Sequence, residues 1–97
     1  MVNVGDTYTY SATISNGASL SLQQSSTQCV VIHNICYAGA VELHATDGTN
    51  DVKVDMDSSN GGWLNFAFHC SASYWYYVKN TSGGNLVITA DGIYTHT

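Results

Sequence analysis

Residues 29–45 read C-V-V-I-H-N-I-C-Y-A-G-A-V-E-L-H-A. They hold the longest apolar run of the chain, a small-residue break at Ala38-Gly39-Ala40, and then a clean alternation. If the first part is extended, Val30, Ile32, Asn34 and Cys36 share one face. In the second part Val41, Leu43 and Ala45 share a face, with Glu42, His44 and Thr46 opposite. Apolar and β-branched residues at period two specify strands, and a near-continuous run specifies a central strand covered on both sides. The stretch is therefore expected to form the core hairpin against which the other strands pack.

Working outward, glycine-containing turn signals recur at short intervals, and the chain has no proline. Asn16-Gly17, Asp47-Gly48, Asn60-Gly61-Gly62, Ser82-Gly83-Gly84 and Asp91-Gly92 all separate apolar alternations. Asn-Gly and Asp-Gly supply the positive φ that tight hairpin turns need. The intervening strands are expected at 7–14, around Leu20 and Leu22, at 29–37, 40–46, 51–57, 63–70, 74–80 and 86–90, with 93–96 as a possible added edge. In 51–57, Val52, Val54 and Met56 are expected inward, with Asp55 and Asp57 on the solvent side. In 63–70, Leu64, Phe66, Phe68 and Cys70 are expected together on one face. No stretch carries a helical apolar stripe with caps.

About eight short antiparallel strands in 97 residues predict one all-β domain spanning 1–97, an antiparallel β-sandwich of jelly-roll topology. An immunoglobulin-like sandwich is the alternative, though the Cys…Trp…Cys spacing of that fold is missing. Residues 1–6 read as a flexible N-terminal arm.

Composition excludes some function classes. There is no arginine, and the only lysines are Lys53 and Lys79, in a chain of net charge −5. A protein that grips phosphates needs cations, so nucleic acid is not an expected partner. The negative charge would repel an anionic membrane, and no apolar run approaches the roughly 20 residues of a membrane helix. The opening Met1-Val-Asn-Val-Gly-Asp has no basic region followed by an apolar one, so no secretory signal is read there. Three cysteines, Cys29, Cys36 and Cys70, make a closed disulfide framework unexpected and suggest reduced, buried thiols.

No catalytic or metal signature emerges. His33, His44, His69 and His96 do not form short paired knuckles with the cysteines, as structural zinc requires. His44 and His69 read more simply as surface groups. Asp47, Asp51, Asp55 and Asp57 fail the calcium-loop pattern, because Val52 stands where the loop needs glycine. Ser, Cys, His and Asp are scattered over strands without a nucleophile elbow, so no enzyme and no cofactor are expected. The densest aromatic cluster, Tyr74-Trp75-Tyr76-Tyr77, puts two rings on each face of a strand. One pair can line the core, and the other suits a protein or sugar contact.

The order of features carries a resemblance. The chain runs S-A-T-I-S-N-G-A-S-L-S-L, then the 29–48 stretch, then G-G-W-L-N-F-A-F-H, then Y-Y-V-K-N-T-S-G-G-N-L-V-I-T-A-D-G. This resembles the small jelly-roll structural proteins of tailed bacteriophages, especially the capsid decoration or cement type; similar runs also occur in phage tail and fibre proteins. The resemblance implies a protein made in the host cytoplasm that docks on the outside of the phage head. Its expected partners are the major capsid protein and copies of itself, as a homotrimer. It implies no catalytic residues, while the three cysteines and the many tyrosines depart from the family pattern. The expected contacts are Val2, Asn3 and Val4 in the 2–6 segment, the polar loop at Gln24, and Trp75 and Tyr77. A carbohydrate- or receptor-binding module of a tail or fibre is the alternative function.

Overall fold

A computed structural model describes residues 2–97 and places them in two antiparallel sheets. The strands are β1 (Thr7–Ile14), β2 (Ser19–Ser21), β3 (Cys29–Tyr37), β4 (Val41–Thr46), β5 (Asp51–Asp57), β6 (Gly61–Trp63), β7 (Phe68–Cys70), β8 (Trp75–Asn80) and β9 (Leu86–His96). One sheet, A, runs β1-β9-β3-β6, with β7 also on β3; the other, B, runs β2-β8-β4-β5. The first strand pairs with the last, the second with the last but one, the third with β6 and β7, and the fourth with the fifth. Successive pairs of this nested hairpin alternate between sheets, which is a jelly roll. The immunoglobulin-like alternative is excluded by that order. Because β6 and β7 occupy one position beside β3, the nine strands fill the eight positions of the fold.

The 29–45 stretch is not a hairpin. β3 lies in sheet A and β4 in sheet B, and Ala38-Gly39-Ala40 carries the chain across the sandwich. Each is the two-neighbour strand its apolar pattern specifies, but in different layers. Their inner faces, with Leu20, Leu22, Val78 and Ile88, form the core. Full burial of each such side chain contributes roughly 1.5–3 kcal/mol.

A bulge at His33 changes the parity of β3. The register to β9 slips between Ile32 and Asn34. Val30 and Ile32 face the core before it, and Ile35 and Tyr37 after it. Cys36 is consequently exposed, not buried, and Asn34 turns outward to donate to Asp91 at 2.8 Å. Strict alternation had placed Asn34 and Cys36 with Val30.

Asp91-Gly92 is not a turn. Residues 86–96 form one strand, and the expected edge at 93–96 is part of a central strand between β1 and β3. Glycine is required at 92 by proximity. A Cβ there would stand 1.9 Å from the Val31 carbonyl oxygen and 2.8 Å from Ile32 Cα. Glycine inside a strand often marks such a close approach.

The expected strand 63–70 is broken opposite the same bulge. Asn65 adopts φ 62°, its N–H donates to Asn34 Oδ1 at 3.1 Å, and the Phe66 N–H donates to the His33 carbonyl at 3.0 Å. Leu64 and Phe66 are exposed, while Phe68 and Cys70 stay buried.

At the other end of the sandwich Asn80 is fully buried. Its Nδ2 donates to the carbonyls of Ile14 and Gly84 at 2.8 and 2.6 Å. Its Oδ1 accepts from the N–H and hydroxyl of Ser82 at 2.8 and 2.7 Å. One amide thereby ties the end of β1 to the β8–β9 hairpin.

Three stability outcomes follow, readable by denaturant titration. Gly92→Ala should cost roughly 3 kcal/mol or more, because backbone on both strands must shift. Gly84→Ala, where an added Cβ meets nothing within 4 Å, should stay within about 0.5 kcal/mol. Asn80→Ala should cost roughly 2–4 kcal/mol by stranding buried backbone groups.

Candidate functional site

β5 is an edge strand whose side chains are mostly exposed. Sequence alternation put its valines inward, but the pairing to β4 inverts this in part. Asp57 lies opposite Val41 and Asp55 opposite Leu43, so both aspartates share the core side of sheet B. There they find donors on sheet A. The Tyr37 hydroxyl donates to Asp57 at 2.7 Å, and Trp63 Nε1 donates to Asp55 at 2.9 Å. The two rings pack at 4.7 Å between centroids. These bonds close one flank of the sandwich with carboxylates instead of aliphatic groups. Burial first, and then the Asp57 hydrogen bond, push the Tyr37 hydroxyl upward; the same bond holds Asp57 below the usual carboxylate range.

The cost is apolar exposure. Val52, Val54 and Met56 are 62, 52 and 57% exposed. A register slip between Leu43 and His44 leaves an extra β5 residue around Val54. Leu64 and Phe66, from the break between β6 and β7, are also exposed, at the edge of sheet A that the Trp63–Asp55 bond joins to β5. Large apolar side chains exposed along two adjoining sheet edges are candidates for contact with a partner.

A second arrangement lies on the outer face of sheet B. The His44 ring stacks on Tyr77 at 4.7 Å and 7°. Its Nδ1 is 2.9 Å from Asp51 Oδ1 and its Nε2 is 3.0 Å from Glu42 Oε1. Both contacts are hydrogen bonds at once only when the ring carries two protons. The Tyr77 hydroxyl donates to the other Asp51 oxygen. Burial and that bond push Tyr77 up to about 12, and bonds from Tyr77 and His44 hold Asp51 low. Glu42 is also held low, chiefly by His44. Lys53 Nζ stands 3.9 Å from Glu42, and Lys79 is its cross-strand partner, so both lysines of the chain flank this carboxylate. Trp75 borders the cluster at the β4–β5 turn, its ring 3.5 Å from where a Gly48 Cβ would stand. Asp47 caps that turn by accepting from the Thr49 and Asn50 N–H groups, which lowers it to about 2. Among the described residues, no three His, Cys, Asp or Glu side chains are arranged to hold a metal ion.

The six residues expected to bind partners do not form one surface. Trp75 and Tyr76 are both half-buried and pack against the core, while Tyr77 lies on the outer face of sheet B, stacked on His44. Asn3 and Val4 are exposed and Val2 half-buried at the start of sheet A. This segment is no loose arm. The Asn3 N–H donates to Asp6 at 2.9 Å, the Gly5 N–H to the Tyr94 carbonyl at 2.8 Å, and the Tyr94 N–H to the Asp6 carbonyl at 3.0 Å. Gln24 is fastened by Nε2 to the Leu22 carbonyl and by its N–H to the Ser71 carbonyl. The β5 flank and the His44 cluster were not singled out from sequence. The available signal was the crowding of four of the chain's nine charged residues into 51–57.

The chain matches no known family model, and no curated protein matches it.

The carboxylate bonds make a pH prediction. Glu42, Asp47, Asp51 and Asp57 are all lower in the folded state than ordinary carboxylates. Their stabilisation is present above the unfolded values near 4 and is lost as pH falls through the lower folded values, which for Asp47 is about 2. Denaturant midpoints should therefore be flat from pH 7 to 5 and fall below 4. Tyr77→Phe and Tyr37→Phe should each flatten that acid slope; an unchanged slope in both would contradict the bonds.

Proposed function

We propose that this chain is a structural protein of a phage virion, of the head-decoration type, which docks on the outer face of the major capsid protein. The observation that carries the reading is the exposure of large apolar side chains along the adjoining β5 and β6–β7 edges: Val52, Val54, Met56, Leu64 and Phe66. Covering it would gain hydrophobic free energy of about 25 cal/mol per Å². The jelly roll is the fold the resemblance implies, and the lack of arginine suits a position away from packaged DNA. Binding many copies to a lattice stabilises the bound state by mass action.

A second reading is favoured by one observation. Tyr77 and the half-buried Trp75 lie beside the carboxylates Asp51 and Glu42, a pairing of aromatic rings and acceptors suited to a glycan. On that reading the domain is a receptor- or carbohydrate-binding module of a tail or fibre.

Particles of the phage carrying this chain distinguish the two. Decoration predicts a fixed ratio of this chain to the major capsid protein. It also predicts at least tenfold less incorporation of a Val54→Lys, Phe66→Ser variant, whose changes lie on exposed positions. Absence from mature heads, or normal incorporation of the variant, would overturn it. The glycan reading instead predicts binding on a glycan array that Trp75→Ala abolishes.

A further inference from the structure

Every open sheet must protect its edges, because unpaired backbone groups recruit other chains. This sandwich has edges at β1, β2, β5 and the β6/β7 position. Three are blunted. β2 has only three residues, and β6 and β7 have three each, parted by 64–67. β5 carries Asp51, Lys53, Asp55 and Asp57 and a register irregularity, and its Met56 N–H is already taken by Asp55 Oδ1 at 2.8 Å.

β1 has none of these devices. It is T-Y-T-Y-S-A-T-I, eight residues with no charge and no proline, paired to β9 without a break. Its outward side chains are Thr7, Thr9, Ser11 and Thr13. Its core-side residues include Tyr10, opposite Ala90, yet Tyr10 is 42% exposed. The strand lying under this flank in sheet B is the three-residue β2, so the ring overhangs an unclosed side.

We propose that β1 pairs antiparallel with β1 of a second copy, about a two-fold axis at Ser11, to give a dimer with a continuous sheet through both molecules. The sequence is self-complementary in that register. On the inner face Tyr10 meets Ala12 of the other copy, large against small, and Tyr8 meets Ile14, an aromatic against a β-branched residue. On the outer face Thr9 meets Thr13 and Ser11 meets its own mate. No ionised group faces a like charge along the strand, whereas β5 against β5 would oppose aspartates in a chain already at −5. An isologous pair uses up the edge on both copies and cannot grow into a filament. Since β1 and β5 bound opposite flanks, the dimer would leave both β5 flanks free and so present two docking surfaces.

Sedimentation equilibrium on the full chain tests this. A dimer is expected at tens of micromolar, weakened at least tenfold by Ser11→Lys, which places two cations together on the axis. Ser11 is exposed, so at concentrations where both are monomeric the circular dichroism and melting of that variant should match the parent. In a Cys36→Ser background, mild oxidation should crosslink Ser11→Cys into dimers and leave Val52→Cys unlinked. A monomer at all concentrations, a three-fold species, an unaffected Ser11→Lys dimer, or crosslinking through position 52 in place of 11 would each overturn the proposal. None of these outcomes depends on whether the protein is found on phage heads.

Discussion

The fold turns on the seat of Gly92 against the bulge of β3. At that point the two central strands of sheet A approach until the position of an added Cβ falls on the Val31 carbonyl oxygen. The bulge at His33 then rotates the rest of β3, so that Ile35 and Tyr37 enter the core and Asn34 leaves it. Asn34, once outside, holds Asp91 on one side and the Asn65 N–H on the other. It therefore positions both β9 and the break between β6 and β7. Without the close approach, β9 could not run straight from β8's hairpin to the far end of the sandwich, and the first-to-last pairing with β1 would be lost.

The same logic explains why the surface is uneven. Tyr37 faces inward only because of the bulge, and its hydroxyl needs an acceptor there. Asp57, with Asp55 for Trp63, supplies one from the edge of the other sheet. Turning these carboxylates to the core side puts Met56 on the outer face, while the register slip leaves Val54 unpaired and Val52, opposite Ala45, exposed at the open edge. The apolar flank on which the functional reading rests is thus the other side of a polar closure. It arises from how the two layers are joined, not from a surplus of hydrophobic residues.

Much of the architecture was legible in the sequence. β1, β3 and β5 fall at the predicted residues, and the Asn-Gly and Asp-Gly turns near 17 and 48 have the positive φ expected of them. The sandwich and its jelly-roll order agree with the strand count. What could not be read was parity. A period-two pattern specifies two faces but not which one is buried, and a single bulge exchanges them midway. Hence Asn34 and Cys36 were assigned to the wrong face, and Asp57 is half-buried beneath Tyr37, whereas Asp55 is exposed as expected while its carboxylate bonds Trp63. Gly92 misled for a related reason, since Asp-Gly signals a turn and a close approach with the same residues. The outer position of Tyr77 was legible because adjacent aromatics divide between faces; the packing of Trp75 against the core was not. The His44 cluster was not, because Asp51 reaches it only through the β4–β5 register.

Native-state hydrogen exchange across β9 tests the central claim most directly. If β9 is one strand seated on the β3 bulge, the amides of Ile88, Ala90 and Ile93 should exchange together and only through global unfolding. Fast exchange at Ile93 and beyond, with protection confined to 86–90, would show a turn at Asp91-Gly92 and contradict the account.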